Sequence, residues 1–107
     1  MENEADYDLK NNMIKIKFHK GTKYEIPALV IAQHRAQYYS EIDGYDIDSQ
    51  EYLNEINYAL NDNYEIFDWI QNNMSWHELQ DYVIRVKEKV INEEDEWANG
   101  NVQIDLL

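Results

Sequence analysis

The chain has no cysteine. It therefore forms no disulfide and carries no thiolate nucleophile, which suits a reducing compartment. Its three glycines, Gly21, Gly44 and Gly100, are scattered, and that excludes a glycine-rich loop cradling phosphates. The one proline, Pro27, marks a single boundary. No apolar run approaches the roughly 18–20 residues of a membrane-spanning helix. The acidic, polar opening Met1–Asp6 is the opposite of a secretory signal. The most informative absence is of one charge sign: no lysine or arginine stands between Arg35 and Arg85, while eleven carboxylates do. A folded stretch with that balance repels nucleic acid and anionic membranes and attracts basic surfaces.

What is present fits one small domain. The 107 residues are 44% hydrophobic and 13% aromatic, enough for one modest core and too apolar for wholesale disorder. The net charge of −13 exceeds the roughly 2–8 that solubility asks of a small domain. Self-repulsion on that scale destabilises the compact state.

Along the chain, residues 1–12 read as a flexible acidic leader and 13–107 as a single domain. Ile14, Ile16 and Phe18 alternate with Lys15, Lys17 and His19, the pattern of a half-buried strand. A turn at Lys20–Lys23 and renewed alternation at Tyr24–Ile26 complete a β-hairpin over 13–26. Pro27 is placed at the first position of a helix running from Ala28 to about Ser40. Asp48-Ser49-Gln50-Glu51 and Asp62-Asn63-Tyr64-Glu65 open two more helices, with apolar stripes through Leu53, Ile56 and Leu60 and through Ile66, Trp69 and Ile70. Ser75-Trp76-His77-Glu78 is a capping box. It precedes Leu79, Val83, Val86 and Val90, whose spacing predicts that its helix continues. Residues 92–99 read as acidic and Gly100 as the end of regular structure, after which Val102, Ile104 and Leu106 alternate as a short C-terminal strand would. The expected fold class is α+β, a hairpin packed by about four helices.

Catalytic and metal signatures fail on inspection. Asp43–Asp48 resembles the start of a calcium loop, but the register from Asp46 puts Glu51 where glycine is required and Asn57 where glutamate is. His19, His34 and His77 are isolated, so no zinc set forms. Ser40, Ser49 and Ser75 lack a nucleophile elbow, and acids are too abundant for any one pair to mark acid–base catalysis. The reading is of a protein with no catalytic residue, metal or cofactor. A small hydrolase or nuclease with a carboxylate–metal site stands as a third class.

The hairpin lysines Lys15, Lys17 and Lys23 read as edge-strand protection rather than phosphate contacts. Arg35, an isolated cation, reads as engaged inside the protein, in an ion pair or in a hydrogen bond to a loop carbonyl, and Trp69 and Trp76 read as core. Of the tyrosines, Tyr52 and Tyr82 fit a border of the core, and Tyr45 and Tyr58 fit it less well. The candidate partner-binding residues are Asp43, Tyr45, Asp46, Asp48, Glu51, Glu55, Tyr58, Asp62, Glu65 and Asp68. Carboxylates set along helices among tyrosines imitate a run of phosphates, offered to a groove of arginine and lysine. Capping accounts for Asp48, Glu51, Asp62, Glu65 and Glu78 without any partner.

Phe18–Pro27 followed by Ile31–Tyr39, and Asp68-Trp69-Ile70-Gln71-Asn72-Asn73-Met74-Ser75-Trp76, resemble two blocks of a family of short acidic proteins that recurs in tailed-bacteriophage genomes. Together the blocks span about residues 18–80. The resemblance implies an origin and no mechanism. By analogy it implies an inhibitor or anti-defence protein acting in the bacterial cytoplasm on a host enzyme that handles nucleic acid, with no direct contact to nucleic acid or membrane. The other class of reading is a homo-oligomeric or adaptor protein whose acidity serves solubility alone.

Overall fold

A computed structural model of the chain describes residues 13–19, 21–87 and 92–106. The leader expected over 1–12 lies outside them. Strand β1, Met13–Phe18, buries Ile14, Ile16 and Phe18 completely and turns Lys15 and Lys17 to the other face. The turn closes with Phe18 N–H on the Thr22 carbonyl at 2.9 Å, and Gly21 there takes φ 113°, a conformation only glycine adopts freely. Strand β2, Lys23–Pro27, returns antiparallel and sets Tyr24 opposite Ile16 and Ile26 opposite Ile14.

Pro27 ends β2 instead of starting the helix: its ψ of 133° is extended, and it serves as N-cap. Helix α1, Ala28–Asp43, buries Ala28, Ile31, Ala32, Arg35, Ala36 and Ser40. It runs three residues past the expected end and stops at Gly44, whose left-handed φ of 77° lets its N–H reach the Ser40 carbonyl. Helix α2, Gln50–Leu60, starts under the Ser49 hydroxyl, which accepts from Tyr52 N–H. Helix α3, Asn63–Asn73, starts under the Asp62 carboxylate, which accepts from Tyr64 and Glu65 N–H. Both caps satisfy N–H groups that a helix start leaves without an internal partner.

One expectation fails beyond this point. The Ser75–Glu78 capping box forms, but its helix, α4, is one turn long, Trp76–Leu79. The chain then leaves the helix, and Ile84–Lys87 forms β3, antiparallel to β2. Three β-branched residues in four, Val83, Ile84 and Val86, favour extended backbone. The outer edge of β2 offers N–H and C=O groups that need partners. Those forces outweigh the four-residue spacing. Residues 92–99, read in the sequence only as acidic, contain helix α5, Glu93–Ala98, capped by Asn92, whose side chain accepts from Asp95 N–H. Its acids crowd the first turn, where the helix dipole favours them.

The C-terminal strand forms as expected: β4, Val102–Leu106, lies antiparallel to β1 with Ile104 opposite Ile16. The sheet order is β3-β2-β1-β4. The α+β class therefore holds, with a fourth strand and, among the described residues, five helices. The sheet's inner face packs on Ile31, Leu60, Ile66, Ile70 and Leu79. Trp76 closes the core edge-on to Phe18 at 5.1 Å and tilted on Tyr24 at 4.9 Å. The outward face presents Lys15, Lys17 and Lys23, with Lys15 flanked by Glu25 and Asp105 on the neighbouring strands.

Candidate functional site

Helices α1, α2 and α3 meet at Arg35, which is only 6% exposed. A buried guanidinium is tolerable only when paired. Nη1 donates to Glu55 Oε2 at 2.7 Å, and Nε lies 3.6 Å from Glu65 Oε2. The charge also sits over the rings of Tyr39 at 4.8 Å and Tyr58 at 5.2 Å. The internal ion pair, one of the two roles expected for Arg35, is thus present, and it takes Glu55 and Glu65 out of the candidate surface: both are half-buried and turned inward.

The remaining candidates divide by exposure. Asp43 ends α1, Asp46 and Asp48 stand on the following turn, and Glu51 lies in the first turn of α2; all four are exposed. None has a hydrogen-bond or ion-pair partner for its side chain among the described residues. Tyr45 is half-buried, and its hydroxyl is shielded from solvent without a hydrogen-bond partner among the described residues. Burial pushes its ionisation up, and Glu55, Asp43 and Glu51 add to this while Arg35 opposes it. Those influences place Asp43, Tyr45, Glu51 and Glu55 around one corner beside Arg35. Asp62 is committed to capping α3, and Asp68 accepts from Asn72 Nδ2 at 2.9 Å. Tyr58 is half exposed and stacked on Arg35.

Sequence reasoning left out three members of this corner. Glu41 is exposed and unpartnered among the described residues, and Ile42 and Ile47 are each 59% exposed. The signal was available, since both isoleucines fall outside the apolar stripes. Tyr52 borders the core as expected. Tyr82 does not; it is exposed, because α4 ends at Leu79 and leaves it on a turn.

A second constellation escaped the sequence. Trp69 Nε1 donates to His34 Nδ1 at 2.9 Å, and His34 Nε2 lies 2.8 Å from Glu78 Oε2. With Nδ1 accepting, the hydrogen-bond network assigns the proton to Nε2, which donates to Glu78. Glu78 Oε1 also accepts from Ser75 N–H at 3.0 Å. That backbone bond first, and His34 second, hold the Glu78 carboxyl below the ordinary carboxylate range. The order is hydroxyl, carboxylate, imidazole. Histidine is therefore not placed to take the Ser75 proton, as a nucleophile triad requires.

On the sheet side, Tyr24 donates to Glu93 Oε1 at 2.8 Å, and Arg85 Nη2 lies 3.4 Å from the same phenol oxygen. Burial first, and the Glu93 bond second, push the Tyr24 phenol up. Among the described residues no three histidine, aspartate or glutamate side chains converge as a metal centre requires, and no helix is long and apolar enough to cross a membrane. Comparison of the chain with family models, curated proteins and solved structures finds no match.

Proposed function

We propose that the protein is a non-catalytic modulator of phage type, acting in the bacterial cytoplasm. Its acidic corner engages the basic, nucleic-acid-binding surface of a host protein. One observation carries the reading. Glu41, Asp43, Asp46, Asp48 and Glu51 fall within eleven residues, all exposed and all without a side-chain partner among the described residues. Capping or internal pairing accounts for Asp62, Glu65, Glu55 and Asp68; of these five, Glu51 alone has a local role, in the first turn of α2 where the helix dipole favours it. Uncompensated like charges held together repel one another, and a cationic partner relieves that repulsion. Ile42 and Ile47, exposed among the acids, give such a contact an apolar centre within a charged rim.

The test is capture from bacterial lysate at low salt, repeated at high salt, followed by competition with nucleic acid. The reading expects a nucleic-acid-handling protein that is released by salt and displaced by its own nucleic acid ligand. A complex indifferent to both contradicts it.

The exposed Ile42, Ile47, Leu53 and Ile84 favour a second reading, self-association through apolar contacts. It expects a multimer by light scattering whose mass is unaffected when the acids are neutralised.

A further inference from the structure

Glu41 belongs to the acidic corner and also to a cleft beside it. The cleft has a volume of about 380 Å³ and is lined by His34, Gln37, Tyr38, Glu41, Asn73 and Glu78. Four of these residues, His34, Gln37, Tyr38 and Glu41, share one stripe of α1 at three- and four-residue spacing. The other two come from the end of α3 and from α4.

The lining defines what fits. Both nitrogens of His34 are engaged, Nδ1 by Trp69 and Nε2 by Glu78, so the imidazole has no free nitrogen to offer an occupant. The fixed charges are the two carboxylates, of which Glu41 has no partner among the described residues. Gln37 and Asn73 add amide oxygens. Tyr38 supplies a ring 48% exposed, held edge-on against Tyr39 at 5.4 Å and Trp69 at 5.3 Å. Among the described residues no lysine or arginine lines the cleft. Anions are repelled, and an apolar occupant would strip water from carboxylates without replacing it.

The protein's own core displays what this set of groups holds. Arg35 is gripped by two carboxylates and two tyrosine rings. The cleft brings the same kinds of group to the surface, a tyrosine ring and two glutamates, of which Glu78 is held by His34 and Ser75 and Glu41 has no partner among the described residues. We infer that the cleft is the receptor for an arginine side chain of the partner, an inference that rests on the proposed function. A guanidinium lies flat on Tyr38 while its fork donates to Glu41 and to the amide oxygens. A lysine ammonium is more strongly hydrated and lacks the planar face.

The experiment titrates the full chain with acetyl-arginine amide, acetyl-lysine amide and acetyl-citrulline amide, the last an uncharged isostere of the first. The readout is NMR of the Trp69 indole N–H and the Gln37 and Asn73 side-chain amides. The expected result is saturable shifts at all three positions with the arginine compound, and affinity about tenfold weaker for Glu41→Gln, the loss of one charge-assisted hydrogen bond. The lysine compound binds more weakly and the citrulline compound produces no saturation. Equal binding of the citrulline compound, absence of saturable shifts, or an unchanged affinity in Glu41→Gln overturns the inference.

Tyr38→Ala, an exposed position, gives a second arm in which the ring contact is lost and the fold kept. The probes need no macromolecular partner, so the two readings fail separately. Arginine binding with no salt-sensitive partner in lysate leaves the cleft and removes the proposed function. A captured partner indifferent to Glu41→Gln and Tyr38→Ala leaves the proposed function and removes the cleft.

Discussion

Trp69 donates its indole N–H to Nδ1 of His34 at 2.9 Å, joining α3 to α1. Because Trp69 is only 5% exposed, that N–H has no ready access to water if His34 is removed. His34→Ala is therefore expected to destabilise the fold by about 1–3 kcal/mol, the penalty for a buried donor left without an acceptor. Urea denaturation checks it, with a blue shift of tryptophan emission expected from the lost polar contact.

Arg35 supplies the next prediction. Removing it leaves Glu55 and Glu65 facing each other across α2 and α3 without their cation. Arg35→Met should cost on the order of 3 kcal/mol, the lower end for a broken buried pair because both carboxylates keep partial access to water. Adding Glu55→Gln and Glu65→Gln to Arg35→Met should recover part of that loss. A triple variant no more stable than Arg35→Met would show that stacking on Tyr39 and Tyr58, not charge, carries the contribution.

Acid exposes Glu78. Its folded pKa lies below the ordinary value of 4.5, so its contribution is fully present above about pH 4.5 and is lost as pH falls through the folded value. Glu78→Gln should be less stable than the parent at neutral pH, and the gap should close as the pH falls. Denaturation midpoints of the two proteins across that range decide it.

Alkali exposes Tyr24 in the opposite sense. Its folded pKa is raised above 10.0, so the stabilisation is complete below pH 10.0 and is lost as pH rises through the folded value. In a phenolate absorbance titration of the native protein, Tyr24 and Tyr45, both pushed up, should ionise above the ordinary phenol value of 10.0. Tyr24→Phe should remove one of those late steps.

Local signals made most of this fold legible. Alternation at Ile14, Ile16 and Phe18 named β1 and its buried face. Ser49, Asp62 and Ser75 named three helix starts, because a cap is a contact between near neighbours in sequence. The failures share a cause. The length of α4 was decided by the vacant edge of β2, sixty residues away in the chain, and no local pattern reports that edge. Helix α5 was not assigned in the sequence, where its segment stood out only by its acids, although Asn92 stands at its cap.

The site divides along the same line. Asp43, Asp46, Asp48 and Glu51 were visible as a charge run and stand exposed. Glu55 and Glu65 belonged to the same run, yet they face inward on Arg35 because a buried cation demanded partners. The His34 constellation joins residues 35 and 44 positions apart, and nothing in the spacing of three isolated histidines indicates it.

The measurement that bears most directly on the acidic corner compares the parent with a variant carrying Asp43→Asn, Asp46→Asn, Asp48→Asn and Glu51→Gln. Both are used as bait in the same bacterial lysate at low and at high salt. These side chains are exposed and unpartnered among the described residues, so the variant should fold as the parent does. The account predicts a nucleic-acid-binding protein held by the parent at low salt, released at high salt and missing from the variant. Equal capture by parent and variant, or capture by the parent that survives high salt, would contradict it.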